Sequence, residues 1–358
     1  MNPGRTAATE DLLTWSGELM TRRQSRSQWG VAFAGSGGYL PGRGITNDDL
    51  LARTGLATTS QWVREHTGIE QRHYADAGQA TSDLAAEAVR RALADSGVDI
   101  LEVSRILLCT TTGDWTSPAA ANRVQYLLGG QCPVLDIQTA CASWIFGLDL
   151  GARMIVSGLD NVVVVGADVK SRFLRRGDFR LGPVMADGAG AVLLSAYDGP
   201  DGLQQLELYS DGSKTANLIT PAGGSALPAS AETVAADLHT VQLGVPGGVI
   251  KEHAVFAMAR LTEQVCAQQG ITPAEVDWIV PHQANGAIVT ALVRELDLPA
   301  ERFVNTIAHS GNTVAATLPY AYDFAARSGR FRPGDRIVLT TAGAGYSAGA
   351  ALYVVPGA

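Results

Sequence analysis

The stretch Leu135-Asp136-Ile137-Gln138-Thr139-Ala140-Cys141-Ala142-Ser143-Trp144-Ile145-Phe146-Gly147 decides how the rest of the chain is read. Leu135, Ile137 and Thr139 alternate with polar neighbours, small residues follow, and an apolar stripe at Ile145, Leu148 and Met154 begins soon after. That order predicts a strand, a tight bend and a helix, with Cys141 at the bend. A thiol there lies beside the unpaired N–H groups and positive dipole end of the helix, which predicts a lowered pKa and a reactive thiolate. The same N–H groups suit an oxyanion formed when the thiolate attacks a carbonyl. Flanked by Ala140 and Ala142, the cysteine also reads as a small core residue. The surrounding chain decides between the two readings.

With 358 residues, 46% of them hydrophobic and 17% charged, the chain has material for one large α/β domain or two similar ones. A formal net charge of -8 argues against a nucleic-acid-binding surface. Cys109, Cys132, Cys141 and Cys266 are scattered without the spacing of a disulfide scaffold or a zinc site, so no metal or other cofactor is expected and a reducing, cytoplasmic setting fits. No apolar run approaches the length of a membrane span. Residues 1–28 read as an N-terminal extension carrying a short amphipathic helix that starts near Thr9.

From Val31 onward, strands alternate with helices: Val31 to Gly35, Ile106 to Thr110, Val134 to Thr139, Val162 to Ala167 and Ala189 to Ser195 read as strands. Ser82 to Asp95, Pro118 to Leu128 and Ser143 to Ser157 read as helices. This order predicts a mainly parallel sheet covered on both faces. It then recurs. Gly97-Val98, Val103 and Ile106-Leu107 match Gly270-Ile271, Val276 and Ile279-Val280 at an offset of 173 residues, and each half closes in a Gly/Ala-rich turn running into a strand. A duplicated chain follows, with a first half over 29–200 and a second over 201–358. Paired halves bring equivalent bends together, the bend at Cys141 corresponding to Gly311-Asn312-Thr313. The strand Trp278-Ile279-Val280 ends in Pro281-His282-Gln283-Ala284-Asn285, at the carboxyl end where open α/β sheets bind ligands. Cysteine, histidine and asparagine thus come from three strand-end loops near one pseudo-symmetric centre, and a nucleophile beside a base or hydrogen-bond donor is what acyl transfer requires. His309, nearer to Asn312 in sequence, competes with His282 as the base.

In this order, several segments closely resemble the β-ketoacyl-acyl carrier protein synthase III group of the thiolase superfamily. They are Gly37-Gly38-Tyr39-Leu40-Pro41, Trp62 with Thr67-Gly68-Ile69, Asp136 to Gly147, Asp187-Gly188-Ala189-Gly190-Ala191, Pro281 to Asn285, Gly311-Asn312-Thr313 and Ala342 to Gly349. The resemblance implies a five-layered αβαβα fold and a homodimer. It implies a catalytic triad of Cys141, His282 and Asn312, with an oxyanion hole from the backbone N–H groups of Cys141 and Ala344. Cys141 would carry an acyl group taken from acyl-CoA. His282 and Asn312 would hold the enolate formed as a malonyl thioester loses carbon dioxide. By the same resemblance Trp62 stacks on the adenine of coenzyme A, and Phe256 and Asn285 line the pantetheine channel.

The departures concern substrates. His66 stands in place of the group's arginine before Thr67-Gly68-Ile69, with Arg64 two positions earlier. Ala287 and Ala257 replace the arginine and lysine with which the group docks an acidic carrier protein, and Arg172, Arg175 and Arg176 offer another basic surface. Ser117 stands where bacterial fatty-acid enzymes have a bulky aromatic reaching the partner subunit's pocket, and Met185 replaces a phenylalanine. A roomier acyl pocket follows, with Trp144 and Trp115 as residues able to refill it. The expected activity is decarboxylative condensation of acyl-Cys141 with malonyl-carrier protein, priming a fatty acid, a polyketide or another specialised product. The alternative sends the acyl group to a hydroxyl or amine of a small molecule without decarboxylation.

Overall fold

The computed structural model describes residues 29–357, so the expected helix near Thr9 and the rest of the extension lie outside the described residues. The first sheet is built from β1 (Val31–Tyr39), β2 (Arg105–Cys109), β3 (Val134–Ile137), β4 (Val162–Val169) and β5 (Asp187–Ala196), in the order β1-β5-β4-β2-β3. The second, from β6 (Gly202–Ser210), β7 (Trp278–Pro281), β8 (Arg336–Ala342) and β9 (Ser347–Val354), has the order β7-β8-β9-β6. The chain passes from one sheet to the other between Ala196 and Gly202.

Both sheets are mixed, which corrects the mainly parallel expectation. β2 runs parallel to β3 and β4, whereas β5 is antiparallel to both β4 and β1. In the second sheet β7 and β8 are parallel, and β9 is antiparallel to β8 and β6. The cause is that no crossover helix separates β4 from β5 or β8 from β9, and a parallel pair needs one. The two sheets therefore share one topology strand for strand, except at one edge. Where the first sheet has β3, the second has only an isolated parallel bridge between Ile279 and Phe303.

Helices α2 (Thr81–Ser96) and α3 (Ala121–Leu128) cover the outer face of the first sheet. Helices α5 (Gly247–Gln268) and α6 (Gly286–Leu296) cover the outer face of the second. Between the sheets lie α4 (Ser143–Val156) and α7 (Thr317–Arg327), buried on both sides, and these complete five layers. Glycine accounts for the one strand that runs well past its expected end. β1 continues from Gly35 to Tyr39 because a Cβ at Gly35 or Gly37 would collide with the α2 backbone at Ala92 or Ala88, so glycine lets the helix lie directly on the strand. Among the described residues, no helix is long and apolar enough to cross a membrane.

Candidate active site

The nucleophile turn forms as the sequence predicts. β3 ends at Ile137, a single helical turn spans Ala140–Ala142, and α4 begins at Ser143. The Ser143 hydroxyl accepts from the Thr139 N–H (2.8 Å) and donates to the Ala140 carbonyl (2.7 Å), stitching the bend shut. It holds Ala140 at φ 53°, a left-handed conformation that costs a residue with a Cβ roughly 1–2 kcal/mol. The second half repeats the device: Val314 has φ 56°, a turn spans Val314–Ala316, and α7 begins at Thr317. The structural counterpart of Cys141 is therefore Ala315, not the Gly311-Asn312-Thr313 bend, which lies just upstream.

Two hydrogen bonds tie the turns across the halves. Asp168, at the end of β4, accepts from the Ala315 N–H (3.0 Å), and the Thr341 hydroxyl donates to the Cys141 carbonyl (3.2 Å). The other Asp168 oxygen accepts from the Thr111 N–H (2.8 Å) and from the hydroxyls of Thr111 (2.7 Å) and Thr112 (3.0 Å), so this buried carboxylate is saturated with donors. Its charge acts on the sulfur. Burial first, and Asp168 second, push the Cys141 thiol up to about 12, with Lys170 opposing. This runs opposite to the expected lowered pKa, because burial and a nearby carboxylate both disfavour the thiolate.

His282 follows β7, where its N–H bonds the Thr340 carbonyl at 2.7 Å. The residue is 2% exposed, neither ring nitrogen has a hydrogen-bond partner, and burial depresses its pKa to about 4. The imidazole is neutral and carries one N–H to give and one lone pair to accept. Asn312 is held through its backbone to Val184 (3.0 Å), while its side-chain oxygen accepts from the Val314 N–H (2.9 Å), which leaves the amide NH2 as its donor.

A cavity of about 420 Å³ joins these groups. Cys141, His282, Asn312, Asn285, Ala344 and Met185 all line it, so six of the residues expected from sequence share one space. Asn285 serves also as the cap of α6, accepting from the Ala287 N–H at 2.8 Å. Four expected residues lie elsewhere. Trp144 is a correction: it is fully buried between the sheets, its indole N–H bonded to the Val164 carbonyl at 3.1 Å, because the first turn of α4 points it at β4. Ser117 is on an exposed loop, and Phe256 is half-buried on α5 without lining the cavity. Trp62, on α1 (Ser60–Thr67), is 37% exposed and stacks on His66 with ring centroids 4.2 Å apart. It does not line the surface groove formed by Arg64, Glu65, Lys251, Ala287 and Arg294, which shares Lys251 and Ala287 with the cavity mouth. His309 faces away and contacts the Tyr320 hydroxyl at 3.2 Å. Asp187 is bound to Ser171 and Ala75 as a structural carboxylate.

The sequence reading missed His253, Lys251 and Tyr346, which also line the cavity. His253 had a signal in retrospect, since Ile250, Ala254 and Met258 recur around it at helical spacing and face the same space.

Two expected outcomes follow from this geometry. At Gly343 a Cβ would lie 2.9 Å from the Cys141 nitrogen and 3.0 Å from that of Ala142, against backbone that cannot yield. Gly343→Ala therefore displaces the nucleophile and the oxyanion donors together, and the rate of Cys141 acylation, followed by mass spectrometry, falls by about 100-fold while circular dichroism stays unchanged. The second outcome concerns pH. Burial holds both His282 and His253 near 4, below the ordinary imidazole value of 6.5. As pH falls through 6.5 the unfolded chain takes up these protons and the folded chain does not, so stability drops between about 6.5 and 4. The loss is roughly 3 kcal/mol for each histidine, measured by urea denaturation across that range.

Known proteins resemble this chain along both of its halves. The family model described as 3-Oxoacyl-[acyl-carrier-protein (ACP)] synthase III matches residues 135–212, and the one described as its C terminal matches residues 266–355. The Beta-ketoacyl-[acyl-carrier-protein] synthase III of Bordetella petrii is 39% identical over 327 residues, covering 90% of this chain and 97% of that protein. The solved 3-oxoacyl-(acyl carrier protein) synthase III of Pseudomonas aeruginosa PAO1 superposes with a TM-score of 0.82 at 35% identity, over 91% of this chain and 98% of the other. The priming beta-ketosynthase from the R1128 polyketide biosynthetic pathway gives a TM-score of 0.82 at 25% identity, over 91% and 96%. With such identity sustained along almost its whole length and both halves matched, the chain belongs to the 3-oxoacyl-[acyl-carrier-protein] synthase III family of thiolase-like condensing enzymes.

Proposed function

We propose that the chain loads an acyl group from acyl-CoA onto Cys141 and condenses it with malonyl-carrier protein, priming a fatty acid or polyketide. The single observation that carries this reading is the convergence of Cys141, His282 and Asn312 on one cavity. In the loading step the sulfur attacks the thioester carbonyl. The backbone N–H groups of Cys141 and Ala344 take the oxyanion, and the thiol proton passes through the neutral His282 imidazole to the departing coenzyme A. Such a relay suits a sulfur whose pKa burial pushes up. In condensation the malonyl thioester loses carbon dioxide, and the electron pair of the broken C–C bond enters an enolate. The enolate oxygen accepts hydrogen bonds from the His282 N–H and the Asn312 NH2. Its carbon then attacks the acyl carbonyl and expels the Cys141 thiolate, which takes up a proton. Depressed basicity suits His282 to this role, since a neutral ring donates its N–H to the enolate while the other ring nitrogen remains free to accept a proton.

The carrier's acidic surface is met differently from the group's usual pattern. Ala257 is fully buried on α5 and offers no docking position, whereas Ala287 is exposed at the cavity mouth. Arg64, Lys251 and Arg294, three cations against the single carboxylate Glu65, line the groove beside that mouth and supply a surface for an acidic carrier or a coenzyme A phosphate. The free thiols Cys109, Cys132, Cys141 and Cys266 suit a reducing cytoplasm, where acyl-CoA is at hand.

The test is mass spectrometry of the protein after incubation with acyl-CoAs of increasing chain length, followed by release of labelled carbon dioxide with malonyl-carrier protein. A single acyl adduct on Cys141, chased by malonyl-carrier protein, is expected; absence of any adduct refutes the reading. We also infer a homodimer from the open edge of β3 and the neighbouring Trp115, whose indole is 53% exposed. Light scattering is expected to give twice the 37.5 kDa chain mass, and Trp115→Glu to shift the protein toward that single mass.

A further inference from the structure

His253 is the feature that condensation leaves unused. Among the described residues, only His253 and His282 are histidines with both ring nitrogens buried and without a hydrogen-bond partner. Both line the cavity that holds Cys141. The His253 ring is 8% exposed and is fixed by Tyr346, whose ring centroid lies 3.7 Å away. Tyr346 is anchored in turn by the Asn217 side chain, which donates to its hydroxyl at 2.8 Å. Tyr346 ends the turn that begins at Ala344, directly after Gly343, the residue packed on the Cys141 backbone. A second neutral imidazole is thus preorganised in the wall of the cavity that holds the nucleophile.

Proton bookkeeping shows that it is surplus to condensation. Decarboxylation makes the carbon nucleophile without any base, and the enolate's two donors are His282 and Asn312. A group that accepts a proton becomes necessary when the attacking atom carries one, as His282 does for the Cys141 thiol during loading, and an alcohol makes the same demand. We propose that acyl-Cys141 also transfers its acyl group to the hydroxyl of a neutral, largely apolar alcohol, with His253 accepting the hydroxyl proton. This rests on the acyl loading of Cys141 proposed above. The alcohol oxygen bonds to the acyl carbon as its proton moves to the bare nitrogen of His253. The tetrahedral oxyanion is held by the Cys141 and Ala344 N–H groups and collapses to the ester. The C–S bond breaks, and the thiolate recovers the proton from the imidazolium.

The surroundings choose the class of acceptor. The walls are mainly apolar, among them Leu181, Met185, Leu218, Leu243 and Met258, and the charged side chains at the cavity are the cations Arg180 and Lys251. An alkylammonium is repelled by such a site, whereas a neutral alcohol is not. Burial, the largest influence on His253, keeps it unprotonated against the pull of Asp211, so its lone pair is open at neutral pH.

The experiment acylates the full chain with butyryl-CoA, adds 1-hexanol or 2-phenylethanol as the probe, and measures ester formation beside carbon dioxide release from malonyl-carrier protein. Wild-type protein is expected to form ester. In His253→Ala the ratio of ester to carbon dioxide is expected to fall about 100-fold, and added imidazole to restore it by at least about tenfold, which a purely structural role would not permit. His253→Gln, which keeps the bulk, tests the same ratio in case the alanine variant unfolds. Acylated wild-type protein that forms no ester from either alcohol overturns the proposal, as does a ratio unchanged in the variants. Failure of Cys141 to take any acyl group refutes the loading step itself and is seen separately in the first measurement.

Discussion

Cys141→Ala protein incubated with acyl-CoA shows no gain in mass, and its condensation rate falls by a factor on the order of 10⁶. The reason is that no other thiol can substitute: Cys109, Cys132 and Cys266 are buried in the core and absent from the cavity wall. The variant separates two roles that a rate alone would merge. His282 and Asn312 remain in place, so malonyl-carrier protein still decarboxylates, and uncoupled carbon dioxide release falls far less than condensation. Liquid chromatography of the product beside carbon dioxide capture checks both. If the acyl adduct persists in the alanine variant, another nucleophile carries the chemistry.

The second large effect is expected at Asn312. Its side-chain oxygen is engaged by the Val314 N–H, so the amide NH2 alone is free for the enolate. Asn312→Asp keeps the shape and the Val314 hydrogen bond, removes the donor and places negative charge where negative charge develops. Condensation is expected to drop by about 10²–10³, equivalent to about 2.7–4 kcal/mol of barrier. Acylation of Cys141, whose oxyanion rests on backbone N–H groups, is expected to suffer much less. Stopped quench assays of the two half-reactions decide the point, and an equal loss in both would place Asn312 in general substrate binding instead.

The candidate site was legible in sequence wherever a residue sat in a strand-end motif. Cys141, His282 and Asn285 each follow a strand, and the duplication indicated that their loops meet, whereas Asn312 follows the short helix Ile307–Ser310 and not the strand end that the sequence suggested. Properties set by the third dimension were not legible. The ionisation of Cys141 depends on burial and on Asp168, a residue of a different strand, whereas the sequence displays only the helix that follows the thiol. Trp144 reads as a pocket wall by proximity to the sulfur, but helical direction turns it onto β4. His253 sits in no recognised motif and follows Lys251 and Glu252 on the helix, so its only sequence signal is the apolar spacing of Ile250, Ala254 and Met258 around it. The extension of β1 through Gly35 and Gly37 was hidden for a similar reason: glycine marks a turn and a close approach with the same letter.

The edge at which the two sheets differ has its own consequence for assembly. β3 ends the first sheet as a complete strand, whereas its counterpart has shrunk to the contact of Ile279 with Phe303. Two chains can join β3 to β3 about a twofold axis, but the vestigial position in the other half provides no matching template for a third chain. In the homodimer inferred above, the lopsided duplication would act as a chain terminator, favouring a closed pair over head-to-tail growth.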